Sequence, residues 1–481
     1  MKPAARPPFL IATTVIAICT AALGLVPGSR PAAAAQTQAF VLTSDFTNGS
    51  LSAVDLGSHA VTPDVATVYS DARERWFDGL LYVVNRFGQD NIQVIDPAVG
   101  FATLRQFSVG NGSNPQDIAF VSATKAYVTR LASSRLLIVN PSTGDSLGAI
   151  SLAAFADADH VPEMDRMIRV GPTLFVELQR LANFQPTDTS LVVAIDVRTD
   201  TVLDAAPGVP GVQPIVLPGT NPTTTFEYDP RSGRLVVGCT GQYGVNDGGI
   251  AWIDPRTLAA GGYAITESAL GGDVLDIVWG SATRSFAIVS DAAFNTALVA
   301  WNPTTGLKLG TLFAPGGFVL ADAALDDRGE LYVCDNDFAA PGLYVFSAET
   351  GAKLAGPLGT GLPPVEVTFD RGSNVVAAPL PASSVASGSR AIALASPWPQ
   401  PARGTVRARL SLAREARVDV EILDLAGRVI RSLGEMDWAA GEREIMWDRR
   451  DAAGRSVAPG VYLLRARAGE SSVSQRVVVA E

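Results

Sequence analysis

The sequence predicts an all-β protein, in which a seven-bladed β-propeller is followed by a C-terminal Ig-like β-sandwich. One strand–loop–strand unit recurs seven times, and strands of alternating polarity return after a linker near the C-terminus. The 481 residues are 47% hydrophobic and 18% charged, a composition typical of a folded globular chain. We therefore divide the chain into residues 1–35 (signal peptide), 36–377 (propeller), 378–391 (linker) and 392–481 (Ig-like domain).

The repeated unit consists of two apolar strands around a polar loop, followed by a tight turn. Residues 331–351, "LYVCDNDFAAPGLYVFSAETG", show the pattern. The turns have the form D-P-x-T-G or N-P-x-T-G, which is turn chemistry; NPSTG and NPTTG match it in full, and the other copies, such as DPAVG and DPRTL, match it in part. The turns are anchored by Asp55, Asp96, Asn140, Asp196, Asp254, Asn302 and Ser347. Their spacings of 41, 44, 56, 58, 48 and 45 residues predict the blades of a propeller.

The two ends of the repeat region predict ring closure. No strand precedes Ala39 in the first unit, whereas an unused strand, "PVEVTFD" at 364–370, follows the last unit. We predict that residues 365–369 pair beside residues 39–68, because closing the ring removes exposed strand edges.

The repeats resemble the YVTN family of propellers, which is related in style to WD40-like sheets. The resemblance covers roughly residues 39–377 and is carried by "LYVVNRFGQDNIQVID" and "VGNGSNPQDIAF". It implies the propeller fold and leaves the function open, because propellers host many activities. The third and fourth units are longer than the family's unit, and we expect their extra residues in loops, where function concentrates.

The loops between the second and third strands are the predicted binding site, because in a propeller they share one rim. Six of the seven loops carry an aromatic residue, and most add a charged one. Such a rim could bind an extracellular protein, a peptide or a glycan. The candidate residues are Asp45, Phe46, Arg86, Phe87, Arg130, Phe184, Tyr243, Asp247, Asp291, Phe294, Asp335, Asp337 and Phe338.

Two structural interpretations compete with this rim hypothesis. The aromatic residues could wedge between adjacent blades, and the acidic residues could only cap turns. The stretch "DNDF" at 335–338 also suggests calcium, but it lacks the Gly and the distant Glu of an EF-hand loop. We expect no cofactor and assign no metal ligand, while a divalent cation remains an open alternative. If the rim is an exposed surface, we expect Asp335, Asp337 and Phe338 to tolerate substitution.

The alternative function is a propeller hydrolase, lactonase or lyase with a metal-dependent site in the central channel. Propeller lactonases hold their metal with Glu, Asn and Asp, and Glu177, Asp291 and Asp335 are the carboxylates open to that role. We assign no catalytic residue. The two histidines lie in a turn and in an acidic loop, and the two cysteines of the mature chain fit core thiols better than a redox pair. These residues are His59, His160, Cys239 and Cys334.

The C-terminal region alternates polar and apolar residues, which predicts a small antiparallel sandwich. It resembles the FlgD Ig-like domain and, equally, the C-terminal sorting domains of the type IX secretion system. The resemblance rests on "SPWPQPARGTVRARLSL", "DLAGRV" with Asp424, Gly427 and Arg428, Trp447-Asp448, Gly454, "PGVY" and "SQRVVVAE". Arg476 stands where the family usually has Lys. The resemblance implies export or surface attachment through secretion machinery, and an ordinary Ig-like spacer is the alternative.

The N-terminus predicts secretion. Lys2 and Arg6 precede an uncharged apolar run from Phe9 to Val26, and small residues ending at Ala35 offer a cleavage site. A transmembrane anchor is the alternative, because 18 residues is borderline for spanning a bilayer. No segment of the mature chain is long enough to cross a membrane. The net charge of −11 makes nucleic acid an unsuitable partner. We expect a protein that is secreted or on the outer surface of a Gram-negative-type bacterium.

Overall fold

A computed structural model describes residues 36–183, 185–187, 189–371, 375–376, 392–394, 397, 402–412, 416–424, 428–439, 441–468 and 471–480. The chain divides into two compact units, Met1–Pro379 and Leu380–Glu481. Strands dominate both units. The predicted signal peptide and the whole predicted linker lie outside the described residues.

Seven sheets of four or more strands make up the described part of the first unit. Each sheet is numbered along the chain, and its strands are given in order of pairing. Sheet 1 contains Pro364–Phe369, Gln38–Ser44, Gly49–Asp55 and Val61–Val68. Sheet 2 contains Ala72–Phe77, Leu80–Asn85, Asn91–Asp96 and Ala102–Ser108. Sheet 3 contains Pro115–Ser122, Lys125–Arg130, Arg135–Val139 and Ser146–Ser151.

Sheet 4 is the irregular member of the set. Its main strands are Met164–Val170, Thr173–Leu178, Leu191–Asp196 and Thr201–Val202. Two short strands add to it, Ile215–Val216 beside the third strand and Val375–Val376 beside the first. A separate ribbon, Leu181–Ala182 with Gln185–Pro186, lies in the loop after its second strand. The long fourth repeat therefore places its extra residues in loops and in these short additions.

The remaining sheets return to the simple antiparallel order. Sheet 5 contains Glu227–Asp229, Arg234–Cys239, Gly249–Asp254 and Ala259–Thr266. Sheet 6 contains Asp273–Val278, Ser285–Ser290, Thr296–Asn302 and Leu307–Phe313. Sheet 7 contains Leu320–Leu325, Glu330–Asp335, Gly342–Ser347 and Lys353–Leu358. The described helices are single turns at Pro97–Val99, Ala153–Phe155 and Glu267–Leu270.

Pairing between the two ends of the repeat region completes sheet 1. Gln38–Ser44 pairs antiparallel with Pro364–Phe369, with Ala39 opposite Phe369 and Val41 opposite Val367. Asp370 reinforces the junction, because its carboxylate accepts hydrogen bonds from the backbone N–H groups of Thr37 and Gln38 at 2.7 and 3.0 Å. The prediction that a C-terminal strand completes the first sheet is confirmed.

Apolar clusters join each sheet to the next. Phe40 and Leu42 of sheet 1 pack with Leu81 of sheet 2, and equivalent clusters connect sheets 2 to 3, 3 to 4, 4 to 5, 5 to 6 and 6 to 7. A seventh cluster packs Tyr332 of sheet 7 with Phe369 of sheet 1. The seven sheets therefore form a closed, propeller-like ring, and each sheet buries both faces against its neighbours.

The second unit consists of two antiparallel sheets with a shared core. One sheet contains Ile392–Leu394, Val406–Leu412 and Gly441–Trp447, and the other contains Val429–Trp438, Ala416–Leu423, Gly460–Ala468 and Ser471–Val479. Trp447 is 1% exposed and contacts the Tyr462 ring, with ring centroids 5.5 Å apart. The Tyr462 hydroxyl donates to the carbonyl oxygen of Ala458 at 2.8 Å. Two motif residues of the tail, Trp447 and Tyr462, thus pack in the core of a β-sandwich and against it.

Ring closure can be tested by removing its last strand. A chain that ends at Pro363 should lose cooperative unfolding, because sheet 1 then lacks its first strand and the cluster against sheet 7 is opened. Phe369→Ala should lower the free energy of unfolding by about 3–5 kcal/mol, as expected for a buried Phe. Urea denaturation followed by circular dichroism measures both effects. A chain ending at Pro379 and the exposed substitution Leu307→Ala are the controls, and a sharp native-like transition of the chain ending at Pro363 would contradict closure.

Candidate functional site

One face of the ring carries the loops between the second and third strands, which the sequence singled out, and also the connections from each sheet to the next. In an antiparallel sheet of four strands, the loop from the second to the third strand lies at the same end of the strands as the connection to the next sheet. In sheet 2, for example, these are residues 86–90 and 109–114, which meet through the hydrogen bonds from the backbone N–H groups of Gly112 and Asn114 to the Asp90 carboxylate. We call this side of the ring, formed by these loops and connections, the loop face.

Every exposed aromatic residue among the described part of the chain lies on the loop face. Five were predicted from the sequence, and the sixth, Phe318, lies in the connection between sheets 6 and 7. Phe46 of sheet 1 and Phe338 of sheet 7 lie against each other, with ring centroids 5.7 Å apart. These aromatics are therefore not wedges between sheets, and the exposed set is Phe46 (74% exposed), Phe87 (72%), Tyr243 (51%), Phe294 (53%), Phe318 (55%) and Phe338 (61%).

Two of the predicted acidic residues fix the loops that present these rings. The Asp45 carboxylate accepts hydrogen bonds from the backbone N–H groups of Thr47 and Asn48 at 2.8 and 2.6 Å. Asp291 accepts in the same way from Ala293 and Asn295, both at 2.9 Å. The hydrogen bonds from Asn48 lower the pKa of Asp45, and those from Asn295 lower the pKa of Asp291. Both aspartates are thus turn caps, as the competing interpretation proposed.

The adjacent phenylalanines have unusual backbone conformations. Phe46 has φ of +66° and Phe294 has φ of +58°. Left-handed conformations are uncommon for large residues and cost about 1–3 kcal/mol. The two loops therefore hold an apolar side chain in water and in a strained conformation.

The other predicted charged residues are engaged within the protein. Arg86 Nε donates to Asp71 at 2.8 Å, and Arg130 Nη2 donates to the carbonyl oxygen of Arg135 at 2.8 Å. Asp247 accepts from the backbone N–H of Gln242 at 2.9 Å. Asp337 accepts from the backbone N–H of Ala339, also at 2.9 Å. These four side chains shape the loop face from within, and Phe184 lies outside the described residues.

Asp335 differs from the expectation of an exposed rim residue. It ends the second strand of sheet 7, is 3% exposed, and accepts a hydrogen bond from the backbone N–H of Asp337 at 3.1 Å. Burial raises the pKa of Asp335 above its ordinary value. The expectation that Asp335 is an exposed rim residue is therefore wrong, because its side chain is buried at the end of the strand.

The first strands of the sheets hold a ring of charge at the centre. Carboxylates of one first strand accept backbone N–H groups of the next: Asp322 from Val367 at 2.9 Å, Asp276 from Ala323 at 3.1 Å, and Asp117 from Met167 at 2.9 Å. Glu366 likewise accepts from the backbone N–H of Glu74 at 3.1 Å. The corresponding residue in sheet 4 is Arg166. The central carboxylates therefore fasten neighbouring sheets together.

Two buried arginines balance part of this charge. Arg75 Nε donates to Asp117 at 2.8 Å, and Arg75 and Arg166 lie 3.4 and 3.6 Å from Glu366. Although burial opposes it, the carboxylates of Asp117 and Glu366 raise the pKa of Arg75. Two cavities of about 400 Å³ each adjoin this network along the first strands. The arrangement is therefore a buried ion network with two cavities beside it, each large enough for several water molecules.

Two glutamates lie buried near the network with no hydrogen-bond partner for their carboxylates. Glu74 and Glu177 are both 0% exposed. Burial, with the nearby carboxylates of Glu366 and Asp322, raises the pKa of Glu74 well above its ordinary range. Burial and the carboxylate of Asp165 raise the pKa of Glu177 in the same direction. Burial therefore favours the neutral, protonated form of both carboxyl groups.

The structure does not bring Glu177, Asp291 and Asp335 together as one set of carboxylate ligands. Glu177 is inside sheet 4, Asp291 caps a turn, and Asp335 is buried in sheet 7. Among the described residues, the group of three carboxylates with ligand atoms within 4.8 Å of one another is Asp157, Asp159 and Glu163, in the connection between sheets 3 and 4. Burial raises the pKa of Glu163 to about 7. None of these residues was predicted as a site.

The histidines and cysteines occupy structural positions. His59 Nε2 lies 2.8 Å from Glu330 and links sheet 1 to sheet 7 on the side opposite the loop face. His160 is exposed in the same connection as the acidic group, with φ of +71°. Cys239 and Cys334 are both 0% exposed, and burial raises the pKa of each thiol. The two thiols therefore behave as core residues.

Comparison with known proteins identifies the second unit. Residues 399–472 match the FlgD Ig-like domain. A search of curated proteins found no significant match to the chain. Among the described residues, no helix is long and apolar enough to cross a membrane.

Several solved structures are similar to the chain at low identity. A functionally unknown protein from Desulfotomaculum acetoxidans is 12% identical with a TM-score of 0.46, and the match covers 69% of this chain and 99% of that one. AztD from Citrobacter koseri is 9% identical with a TM-score of 0.41, covering 86% and 98%. The extracellular domain of a putative one-component system from B. thetaiotaomicron is 9% identical with a TM-score of 0.41, covering 92% and 61%. Similarities at this level say nothing about the ligand or activity of this chain.

The raised pKa of Glu74 predicts a pH-dependent stability. Above pH 4.5 the unfolded chain releases this proton while the folded chain keeps it, so stability falls as pH rises until the folded pKa is passed. Glu74→Gln removes the titration with little change in shape. The stability advantage of the variant over wild type should therefore grow as pH rises above 4.5, by about 1.4 kcal/mol per pKa unit crossed. Urea denaturation at each pH measures it, with the exposed Glu349→Gln as the matched control. A constant difference would show that Glu74 is ionised in the folded chain.

Proposed function

We propose that the protein is an extracellular binding protein, which holds its ligand on the loop face of a seven-bladed, YVTN-type propeller. The observation that carries this proposal is the placement of the aromatics. All six exposed aromatic rings of the described chain are on one side of the ring, at 51–74% exposure. Exposed apolar surface gathered on one face favours an interaction site.

The backbone of the loop face supports the same conclusion. Phe46 and Phe294 have left-handed conformations within aspartate-capped turns. Strain of this kind collects at binding and catalytic sites, where the surrounding structure stabilises it. Rigid aromatic side chains give a large contact area at a small cost in conformational entropy, which suits recognition.

We propose that the second unit serves export or surface attachment. Its similarity to the FlgD Ig-like domain covers residues 399–472, and the N-terminal sequence has the pattern of a secretory signal. A sorting role of the type IX kind accounts for a separate sandwich after the propeller. Asp117, Asp276, Asp322 and Glu366 accept backbone N–H groups of the next sheet, which supports a structural role for these four carboxylates, so catalysis in the channel gains no support from them.

Binding by the loop face can be tested on its stacked pair. Phe46→Ala with Phe338→Ala should weaken binding at least tenfold, because it removes the largest exposed apolar contact between sheets 1 and 7. Stability should change by no more than about 0.5 kcal/mol per substitution, since both rings are exposed. The native chain is first screened on arrays of immobilised glycans, peptides and extracellular proteins, and the affinity of the variant for the strongest ligand is then measured.

The matched control for that experiment is Leu307→Ala, which removes an apolar side chain 62% exposed on an outer strand. It should leave the affinity unchanged. Equal binding by the double variant and by native protein would rule out the loop face near Phe46 and Phe338. A stability loss of about 3 kcal/mol or more would instead show that these rings are packed in the fold.

The role of the second unit predicts a separation between folding and delivery. A chain ending at Pro379 should keep the melting temperature of the ring, because the seven sheets and their interfaces are complete without the second unit. Its amount on the cell surface or in the medium should fall sharply in the producing organism. Calorimetry of the purified proteins and immunodetection in cell fractions measure the two effects. Normal delivery of the shortened chain would show that the second unit is a spacer.

A further inference from the structure

A groove on the loop face lies outside the stacked pair of Phe46 and Phe338. It has a volume of about 900 Å³ and is formed by loops and connections of sheets 2, 3 and 4. This volume is within the range of sites that bind small ligands. Phe87, 72% exposed, lies at its edge, and the side chains of Leu131 and Val161 give it further apolar surface.

The walls of the groove are fixed by hydrogen bonds to backbone. The Asp90 carboxylate accepts from the backbone N–H groups of Gly112 and Asn114 at 2.7 and 2.8 Å, which ties the second-to-third loop of sheet 2 to the next connection. Glu163 Oε2 accepts from the backbone N–H of Leu181 at 2.8 Å and ties the two loops of sheet 4 together. The groove is therefore preformed, so a ligand need not pay for ordering its walls.

The polar groups that face the groove are mostly side-chain amides. Gln89, Asn111 and Asn183 line it, and within the described residues their amides form no hydrogen bond to the protein. Each amide offers one acceptor and two donors. Groups of this kind match ligands whose polar atoms both donate and accept, which is the property of hydroxyl groups.

The charge of the groove excludes acidic ligands and does not favour cations strongly. Its ionisable lining groups are Asp90, Asp159 and Glu163, with no Lys or Arg among the lining residues. The Asp90 oxygens are occupied by backbone donors, and burial raises the pKa of Glu163 to about 7, so that carboxyl can also donate. Lysine and arginine side chains have no acceptor, so they could not pair with the NH2 groups of the three amides.

We propose that this groove binds the sugar rings of a neutral oligosaccharide, with Phe87 against an apolar ring face and the amides of Gln89, Asn111 and Asn183 on its hydroxyls. The inference rests on the proposed function, because it names the ligand class for one part of the same loop face. An extended peptide is the less suitable occupant. Apart from Leu181, the lining residues are in loops, so the groove offers no strand edge to which a peptide could add.

The test uses the full mature chain and an array of neutral hexasaccharides of glucose, mannose, galactose, xylose and N-acetylglucosamine. An array of random heptapeptides is run beside it. Affinity for the strongest oligosaccharide is then measured by titration calorimetry for the native chain and for single variants. Phe87→Ala and Asn111→Ala should each weaken binding about tenfold or more, while circular dichroism and melting temperature stay unchanged.

Leu307→Ala is the matched control, because it removes an exposed apolar side chain from an outer strand of sheet 6, outside both the loop face and the groove. It should leave affinity within about twofold of the native value. The inference is overturned if no oligosaccharide binds, if only peptides bind, or if Phe87→Ala binds the oligosaccharide as well as the native chain does. Binding that depends on Phe46 and Phe338 but not on Phe87 would overturn the groove and leave the proposed function standing.

Discussion

The structure of the first unit depends on the pairing of Gln38–Ser44 with Pro364–Phe369. Each sheet buries both faces against its neighbours, so an open ring would leave two apolar faces in water. At roughly 25 cal/mol per Å² of apolar surface, such exposure is costly for a fold of marginal net stability. Closure therefore sets the positions of all seven sheets at once, and with them the loops that share a face.

The centre and the rim of the ring use the same side-chain chemistry for different purposes. Central carboxylates such as Asp322 and Asp276 accept backbone N–H groups of the next sheet and hold neighbours in register. Rim carboxylates such as Asp45 and Asp291 accept backbone N–H groups of their own loop and set its conformation. In both places a carboxylate hydrogen-bonded to backbone is structural, and the groups left for a ligand are the aromatics and the amides.

The ion network at the centre explains why the channel is a weaker functional candidate than the rim. Arg75 and Arg166 reach Glu366 from sheets 2 and 4, and Asp117 pairs with Arg75. Removing one member would leave a buried charge uncompensated, which is strongly destabilising. These residues are held by the requirements of folding. The loop face is free of that constraint, because its exposed rings contribute little to stability.

The sequence by itself determined the repeat, the closing strand and the sandwich, because each is a local pattern of apolar strands and turns. It also predicted which loops carry aromatics. Only the tertiary structure decided that Asp335 is buried, that Asp45 and Asp291 cap turns, and that Phe318 joins the exposed set. The groove beside Phe87 is formed by Asn111, Leu131 and Asn183 from sheets 2, 3 and 4, and no local pattern predicts such a meeting, because it depends on the packing of one sheet against the next.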